Sequence, residues 1–345
     1  MARTCWQNGE FMKQFLYVLV SDQEDYYYEQ LLISVTSLRK YNPDAYVTVL
    51  VDNKTDETLY GSLRGKIREL VQNIVVINFN DGMSNTKRSR YLKTTMREYV
   101  QGDFLFVDCD TVICDQISLD EFEGEFGAVY DGNSIWSYHN IQRTECNVMA
   151  RRGYKIPEED YYNSGVIWCK DTETTHLFYK RWNELYLECN KFGIGEDQPS
   201  FNITNQEMGL LQQLDNKWNC IAMLGGIGSL SKCKILHYAA YKHDSDPNAH
   251  PYMLGDKRVM EEIKRKHEIT ETVRKVIDDP RGAFCPSAVV AFNSRRYHVY
   301  KSSIFSAMNR IYEKNPTLFE AVDGVLKKVR DRKQNKQYRD RLKNR

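Results

Sequence analysis

The sequence predicts an α/β fold: a mixed, mainly parallel sheet flanked by helices, followed by a helical C-terminal extension. Three observations predict it. Short apolar runs rich in β-branched residues recur through the first half of the 345-residue chain. Each is separated from the next by one helical pattern, so the strands pair in parallel through right-handed crossovers. After about residue 255 the pattern is mostly helical and increasingly basic.

The elements follow in order. Phe15-Leu16-Tyr17-Val18-Leu19-Val20 is a strand that ends at Ser21-Asp22. A helix with Leu31, Leu32, Val35 and Leu38 on one face stops at Asn42-Pro43. Tyr46–Val51 is the second strand, ending at Asp52-Asn53, residues 56–71 read as a helix, and Ile74–Ile77 is the third strand. A basic helix over about 85–99 leads into the run Phe104–Val107. Beyond it, Phe126–Tyr130 is a strand ending at Asp131, and a helix and loop lead to Tyr161. Asn163-Ser164-Gly165 precedes the strand Val166–Trp168, and residues 172–190 read as a helix. Gly195-Glu196-Asp197-Gln198-Pro199 opens another helix, with acidic groups where the dipole favours them. Lys234–Tyr238 is a short strand.

Parallel topology sets the C-terminal ends of the first strands on one edge, where open α/β sheets bind ligands. That edge gathers Ser21, Asp22, Asp52 and Asp108, far apart in sequence. The first half therefore reads as Rossmann-like and nucleotide-binding. Asp108-Cys109-Asp110 is its most informative feature. Two carboxylates one residue apart, after a fully apolar strand, are costly unless something neutralises them, and a divalent cation carrying a diphosphate does so. No G-x-G-x-x-G follows the first strand and no G-x-x-x-x-G-K-[ST] occurs, so neither dinucleotide redox chemistry nor P-loop phosphoryl transfer is supported.

Composition bounds the rest. Hydrophobic content of 41% and charged content of 28% are ordinary for a globular protein. The net charge of +1 is uneven: residues 327–345 hold ten basic residues against Asp331 and Asp340, leaving about −7 on the remainder. Nine cysteines, scattered without C-x-x-C pairs, point to reduced thiols and a cytoplasmic location. The opening MARTCWQNGE lacks the apolar stretch of a signal peptide, and nowhere do 18 apolar residues run uninterrupted, so neither secretion by that route nor a membrane span is expected.

Four motifs together resemble the family 8 glycosyltransferases of the GT-A fold, over roughly residues 15–245. They are the first strand ending in Ser21-Asp22, the D-x-D at 108–110, Asn163-Ser164-Gly165, and Gly195-Glu196-Asp197-Gln198 ahead of His237-Tyr238. The resemblance implies a catalytic domain over 15–250, split into a nucleotide-binding half, 15–110, and a sugar and acceptor half, 111–250. The helical extension would then span 255–345, with the basic tail at 327–345. It implies a retaining transfer of a hexose from a UDP-sugar to a surface glycan or lipid-linked oligosaccharide.

Asp108, Asp110 and His237 would be the metal ligands. Mixed carboxylate and imidazole ligation favours Mn²⁺ over Mg²⁺. Ser21, Asp22, Asp52, Arg90, Lys93, Asp108 and Lys242 would meet the nucleotide. Arg90, Asn163, Ser164, Asp197 and Gln198 would meet the sugar, and Gln198, Asp197 and Asp131 form the implied catalytic set. A glutamine amide is a poor nucleophile, so same-face attack fits better than double displacement, with Asp197 the alternative nucleophile. One departure stands out: His237 is followed by Ala240, Tyr241, Lys242, His243 and Asp244, without the family's glycine at +3 and lysine-proline-tryptophan at +6. His243 therefore competes with Lys242 for the phosphate.

Other readings compete. Asp108-Cys109-Asp110-Thr111-Val112 also fits the D-x-D-x-[TV] pattern of haloacid-dehalogenase-type phosphatases, with Asp278-Asp279 as the downstream acidic pair. An inactive binding or scaffold relative is the non-enzymatic reading. A nucleotidyltransferase would need an arginine-containing glycine-rich loop that is absent after the first strand. The basic tail reads as a solvated end or as a peripheral foot on an anionic membrane, because Ile304, Met308, Ile311 and Tyr312, then Leu318, Val322 and Val325, repeat at helical spacing ahead of it. Nucleic acid is not expected as a partner, since the body lacks a basic stripe with interleaved aromatics.

Overall fold

The computed structural model describes residues 6–7, 10–11, 13–79, 82–133, 143–222, 226–239, 250, 252–284 and 302–343. After a two-residue ribbon pairing Trp6–Gln7 with Glu10–Phe11, the chain runs β1 (Gln14–Leu19), α1 (Tyr27–Tyr41), β2 (Val47–Asp52), α2 (Asn53–Thr58) and β3 (Asn73–Ile77). It continues through α3 (Asn85–Tyr99), β4 (Phe104–Val107), β5 (Thr111–Ile113), β6 (Phe126–Tyr130) and α4 (Arg143–Ala150). Next come β7 (Tyr162–Cys169), α5 (Glu173–Lys191), α6 (Gln198–Met208), β8 (Gln212–Gln213), β9 (Cys220–Ile221) and β10 (Ile235–His237). The helices α7 (Lys257–Lys266), α8 (Glu271–Asp278), α9 (Ser303–Lys314) and α10 (Pro316–Lys343) complete it.

Seven strands form one sheet in the order β8-β6-β7-β4-β1-β2-β3, parallel except for β7, which runs antiparallel to both neighbours. The expected mixed, mainly parallel sheet flanked by helices is therefore present. The strand order reverses between β1 and β4, the usual place for a ligand crevice. A smaller sheet, β9-β10-β5, lies beside it, with β10 antiparallel to β5 and His237 opposite Thr111.

Both faces of the large sheet are covered, which is why its central strands are apolar without alternation. Alternate residues divide the core. Phe15, Tyr17, Leu19, Leu105 and Val107 pack with α1 and the small sheet, and Met260, Ile263, Val273 and Ile277 of α7 and α8 join that layer. Leu16, Val18, Phe104 and Phe106 face α3, α5 and α6 through Leu92, Met96, Trp182 and Phe201.

Two local expectations are corrected. The helix expected over 56–71 starts earlier, at Asn53, because Asp52 caps it by accepting from the Thr55 N–H at 2.9 Å. It also breaks into short pieces, since Gly61 takes a left-handed φ of 64° that no helix continues through. Asn163-Ser164-Gly165 lies inside β7, not before it. Arg88 and Arg97 of α3 are buried: Arg88 pairs with Asp52, and Arg97 donates to the Val100 and Gly102 carbonyls.

Candidate active site

The geometry begins where β4 ends. The Asp108 N–H donates to the Gly165 carbonyl at 2.8 Å, fixing the D-x-D turn against β7. The turn then runs into β5, and antiparallel pairing with β10 delivers His237 beside it. The Tyr238 N–H donates to the Asp110 carbonyl at 3.1 Å, and His237 Nε2 lies 3.2 Å from Asp110 Oδ1. Asp108, Asp110 and His237 each place one ligand atom within 4.8 Å of the others. A Cβ built on Gly165 would stand 2.5 Å from His237 Cε1 and 2.9 Å from Asp108 Oδ2, so only glycine leaves this cradle open.

Electrostatics agree with a cation site. Burial pushes the Asp108 carboxyl up, Lys93 offsets part of that, and neighbouring Asp110 pushes it up again. Burial works against a charged His237, yet Asp110 beside it raises the imidazole above its ordinary value. Two carboxylates sharing one imidazole form a hard, mixed donor set suited to a divalent ion, so the residues fit the metal that the resemblance implies.

Next to the triad lies a second charged group. Arg90 and Lys93, three apart on α3, share a face. Lys93 is buried and reaches Asp108 and Asp197 Oδ2, each at 3.2 Å. Arg90 Nε reaches Asp197 Oδ1 at 3.1 Å, and Ser164 Oγ donates to Asp197 Oδ2 at 2.8 Å. Burial alone would raise the Asp197 carboxyl, but Lys93 and Arg90 hold it well below the usual carboxylate range. Asp197 precedes α6 without capping it through its side chain, because both oxygens are turned toward α3 and β7.

Amides link these groups. Asn163 Nδ2 donates to Asp131 Oδ1 at 2.9 Å and to Gln198 Oε1 at 3.2 Å. Gln198 Oε1 also accepts from the Ser164 N–H at 3.1 Å. Asn219 Nδ2 donates to Asn163 Oδ1 at 2.9 Å, and Asn219 Oδ1 meets His237 Nδ1 at 3.1 Å. Thus Asp108, Asp110, Asp131, Asn163, Ser164, Asp197, Gln198, His237, Arg90 and Lys93 form one connected cluster.

The expected nucleotide end is built differently from its expectation at one residue. Ser21 Oγ donates to Asp25 Oδ1 at 2.7 Å, while Asp22 accepts from the Glu24 N–H at 2.8 Å and from Asn85 Nδ2 at 2.6 Å. Asp52 is fully enclosed, with one oxygen on the Thr55 N–H and the other on Arg88, so it presents no surface to a ligand. It anchors the β2–α2 turn and Arg88 instead. Lys242 and its competitor His243 lie outside the described residues.

Reasoning from sequence missed Asn219, Arg88 as the partner of Asp52, and the steric role of Gly165. Only Gly165 carried a signal, as a glycine interrupting an apolar strand. Asn219 sits in a short polar stretch that nothing in the sequence distinguishes. The phosphatase reading is not supported, since Asp278 pairs with Lys40 at 2.6 Å and Asp279 accepts from the Gly282 N–H at 3.3 Å, and neither joins the Asp108 cluster.

No family model matches the chain, and no curated protein does. Among the solved structures that match is the crystal structure of mouse xyloside xylosyltransferase 1 in its apo form. It is 13% identical, with 68% of this chain and 99% of that chain covered and a TM-score of 0.45. Similarity at that level is too loose to assign a family.

Proposed function

We propose that the chain is a metal-dependent, retaining glycosyltransferase that moves a hexose from a UDP-sugar to a surface glycan or lipid-linked oligosaccharide. The observation that carries this reading is the Asp108, Asp110 and His237 cluster, with ligand atoms within 4.8 Å of one another, at the C-terminal edge of the sheet. The imidazole in the donor set favours Mn²⁺ over Mg²⁺. Bound there, a divalent cation would neutralise the diphosphate of the departing UDP.

The chain's own residues supply the rest. Ser21 and Asp22 would receive the nucleoside, and Lys93, already facing Asp108, would add positive charge beside the diphosphate. Arg90, Asn163, Ser164, Asp197 and Gln198 would orient the sugar, with Asp131 holding Asn163. Both Asp197 oxygens are held by cations, and Gln198 Oε1 already accepts two hydrogen bonds. That supports same-face attack, with the leaving UDP oxygen taking the acceptor's proton, over a covalent sugar–enzyme intermediate.

A peripheral membrane contact belongs to the same proposal, at the cytoplasmic face. No helix among the described residues is long and apolar enough to cross a membrane. On α10, Leu318, Val322, Val325 and Val329 are exposed at helical spacing, next to Lys327, Lys328, Arg330 and Arg332. An apolar stripe beside a basic run suits an anionic bilayer. Sedimentation with anionic vesicles, but not neutral ones, is the expected result.

A panel of UDP-sugars tests the activity. Release of UDP from one hexose donor should require Mn²⁺ and disappear in Asp110→Asn. No release from any donor, together with Mg²⁺-dependent hydrolysis of an aryl phosphate, would replace this reading with the phosphatase one.

A further inference from the structure

Asn219 is completely buried, and its side-chain amide spans the gap between His237 and Asn163. Its backbone is clamped as well. Asn133 Nδ2 donates to the Asn219 carbonyl at 2.8 Å, and Asn133 Oδ1 accepts from the Ile221 N–H at 2.7 Å. Asn133 does this from a left-handed conformation, φ 60°, two residues after Asp131. One turn, residues 131–133, therefore holds Asn163 through the Asp131 carboxylate and Asn219 through Asn133.

The polarity of this chain of amides is forced. The Ser164 N–H only donates, so Gln198 Oε1 faces Ser164, and Asn163 turns its Nδ2 toward Gln198 and Asp131. The Gly165 N–H, also a donor only, fixes the other side by reaching Asn163 Oδ1 at 2.9 Å. Asn219 must then offer Nδ2 to Asn163 and Oδ1 to His237. A carbonyl oxygen only accepts, so Nδ1 carries a proton in either charge state of His237, and in the neutral imidazole the Nε2 lone pair points to the Asp110 side. A ring nitrogen held this way is what orients a metal-ligating histidine.

We propose that Asn219 is a positioning residue: it fixes the tautomer of His237 for a divalent cation and couples that cation's site to the sugar end of the pocket through Asn163. The coupling to sugar rests on the glycosyltransferase reading; the effect on the metal does not.

Three measurements on the full chain test it: Mn²⁺ affinity by electron paramagnetic resonance without nucleotide, then calorimetric affinities for UDP and for the hydrolysed UDP-sugar. Asn219→Ala removes the acceptor for Nδ1 and should weaken Mn²⁺ by about 10–100-fold. Asn219→Asp keeps that acceptor but faces Asn163 Oδ1 with a second acceptor. It should hold Mn²⁺ and UDP within about threefold of wild type, while the UDP-sugar loses the extra affinity of its sugar, roughly tenfold. A purely structural role would not separate the two ligands. Equal Mn²⁺ affinity in wild type and Asn219→Ala overturns the inference, as does Asn219→Asp losing Mn²⁺ as fully as Asn219→Ala. If Asn219→Ala does not fold, Asn133→Gly, which keeps the left-handed turn, releases the clamp on the 219–221 backbone and must also weaken Mn²⁺. Wild type binding Mn²⁺ but no UDP would refute the proposed function and leave the Mn²⁺ comparison to decide the role of Asn219. Wild type binding no Mn²⁺ would overturn both.

Discussion

Gly165→Ala places one methyl group where the account says nothing fits. The new Cβ would lie 2.5 Å from His237 Cε1, 2.9 Å from Asn163 Oδ1 and 2.9 Å from Asp108 Oδ2. Carbon atoms in contact normally stay about 3.5–4.0 Å apart, so the imidazole must retreat by roughly 1 Å. The neighbours have little room to yield. Asn163 is tied to Asp131, Gln198 and Asn219, and Asp108 faces Lys93. Moving the strand does not escape the conflict, because the Gly165 carbonyl accepts from the Asp108 N–H. Overpacking of this kind costs about 1–3 kcal/mol of stability. A ligand displaced by about 1 Å should lower turnover roughly 100-fold, and Mn²⁺ affinity should fall with it. Gly165 lies in a strand and has no left-handed φ, so backbone strain adds nothing. Gly228→Ala, with open space around it, is the control and should be neutral. Thermal melting and Mn²⁺ titration by electron paramagnetic resonance read the result. A Gly165→Ala variant that melts and binds Mn²⁺ like wild type would refute the reasoning.

Three further outcomes follow from the charges. Lys93→Met strips a buried ammonium from Asp108 and Asp197 and should cost about 3 kcal/mol, the low end for a broken buried pair because Arg90 remains. Mn²⁺ should restore part of that loss in urea unfolding, and a variant as stable as wild type in its absence would contradict the assignment. Asp197 has a lowered carboxyl pKa, so it stabilises the fold above the ordinary value of about 3.9 and loses that contribution as pH falls through the depressed one. Asp197→Asn should flatten the acid limb of the stability profile, and an unchanged limb would count against the ion pairs. His237 has a raised pKa, so its protonated form stabilises the metal-free fold below about 6.5 and that contribution is lost as pH rises through the raised value. A metal needs the unprotonated Nε2, so Mn²⁺ affinity should climb between pH 6 and 8; a flat profile would remove His237 from the ligand set.

Much of the fold was legible because local signals agreed with burial. The apolar runs of β1, β2 and β4 became strands covered on both faces, and the boundaries of α1 and α3 match their patterns closely. The 56–71 segment misled because its apolar spacing hid a glycine with left-handed φ. Asp52 misled for another reason: an acidic residue at a strand end marks an edge, but whether it faces a ligand or an arginine is decided by a helix that carries Arg88, 36 residues on. The site itself was legible only as separate motifs. What joins them is tertiary. The pairing of β10 with β5 brings His237 to Asp110, the missing Cβ of Gly165 leaves space between them, and Asn219 ties the pair to Asn163. None of these contacts has a sequence period.

Calorimetric titration of UDP into the full chain, with and without Mn²⁺, on wild type and Asp110→Asn, tests the central claim most directly. Binding that needs Mn²⁺ and is lost in Asp110→Asn is the predicted result. No UDP binding to wild type under either condition would contradict it.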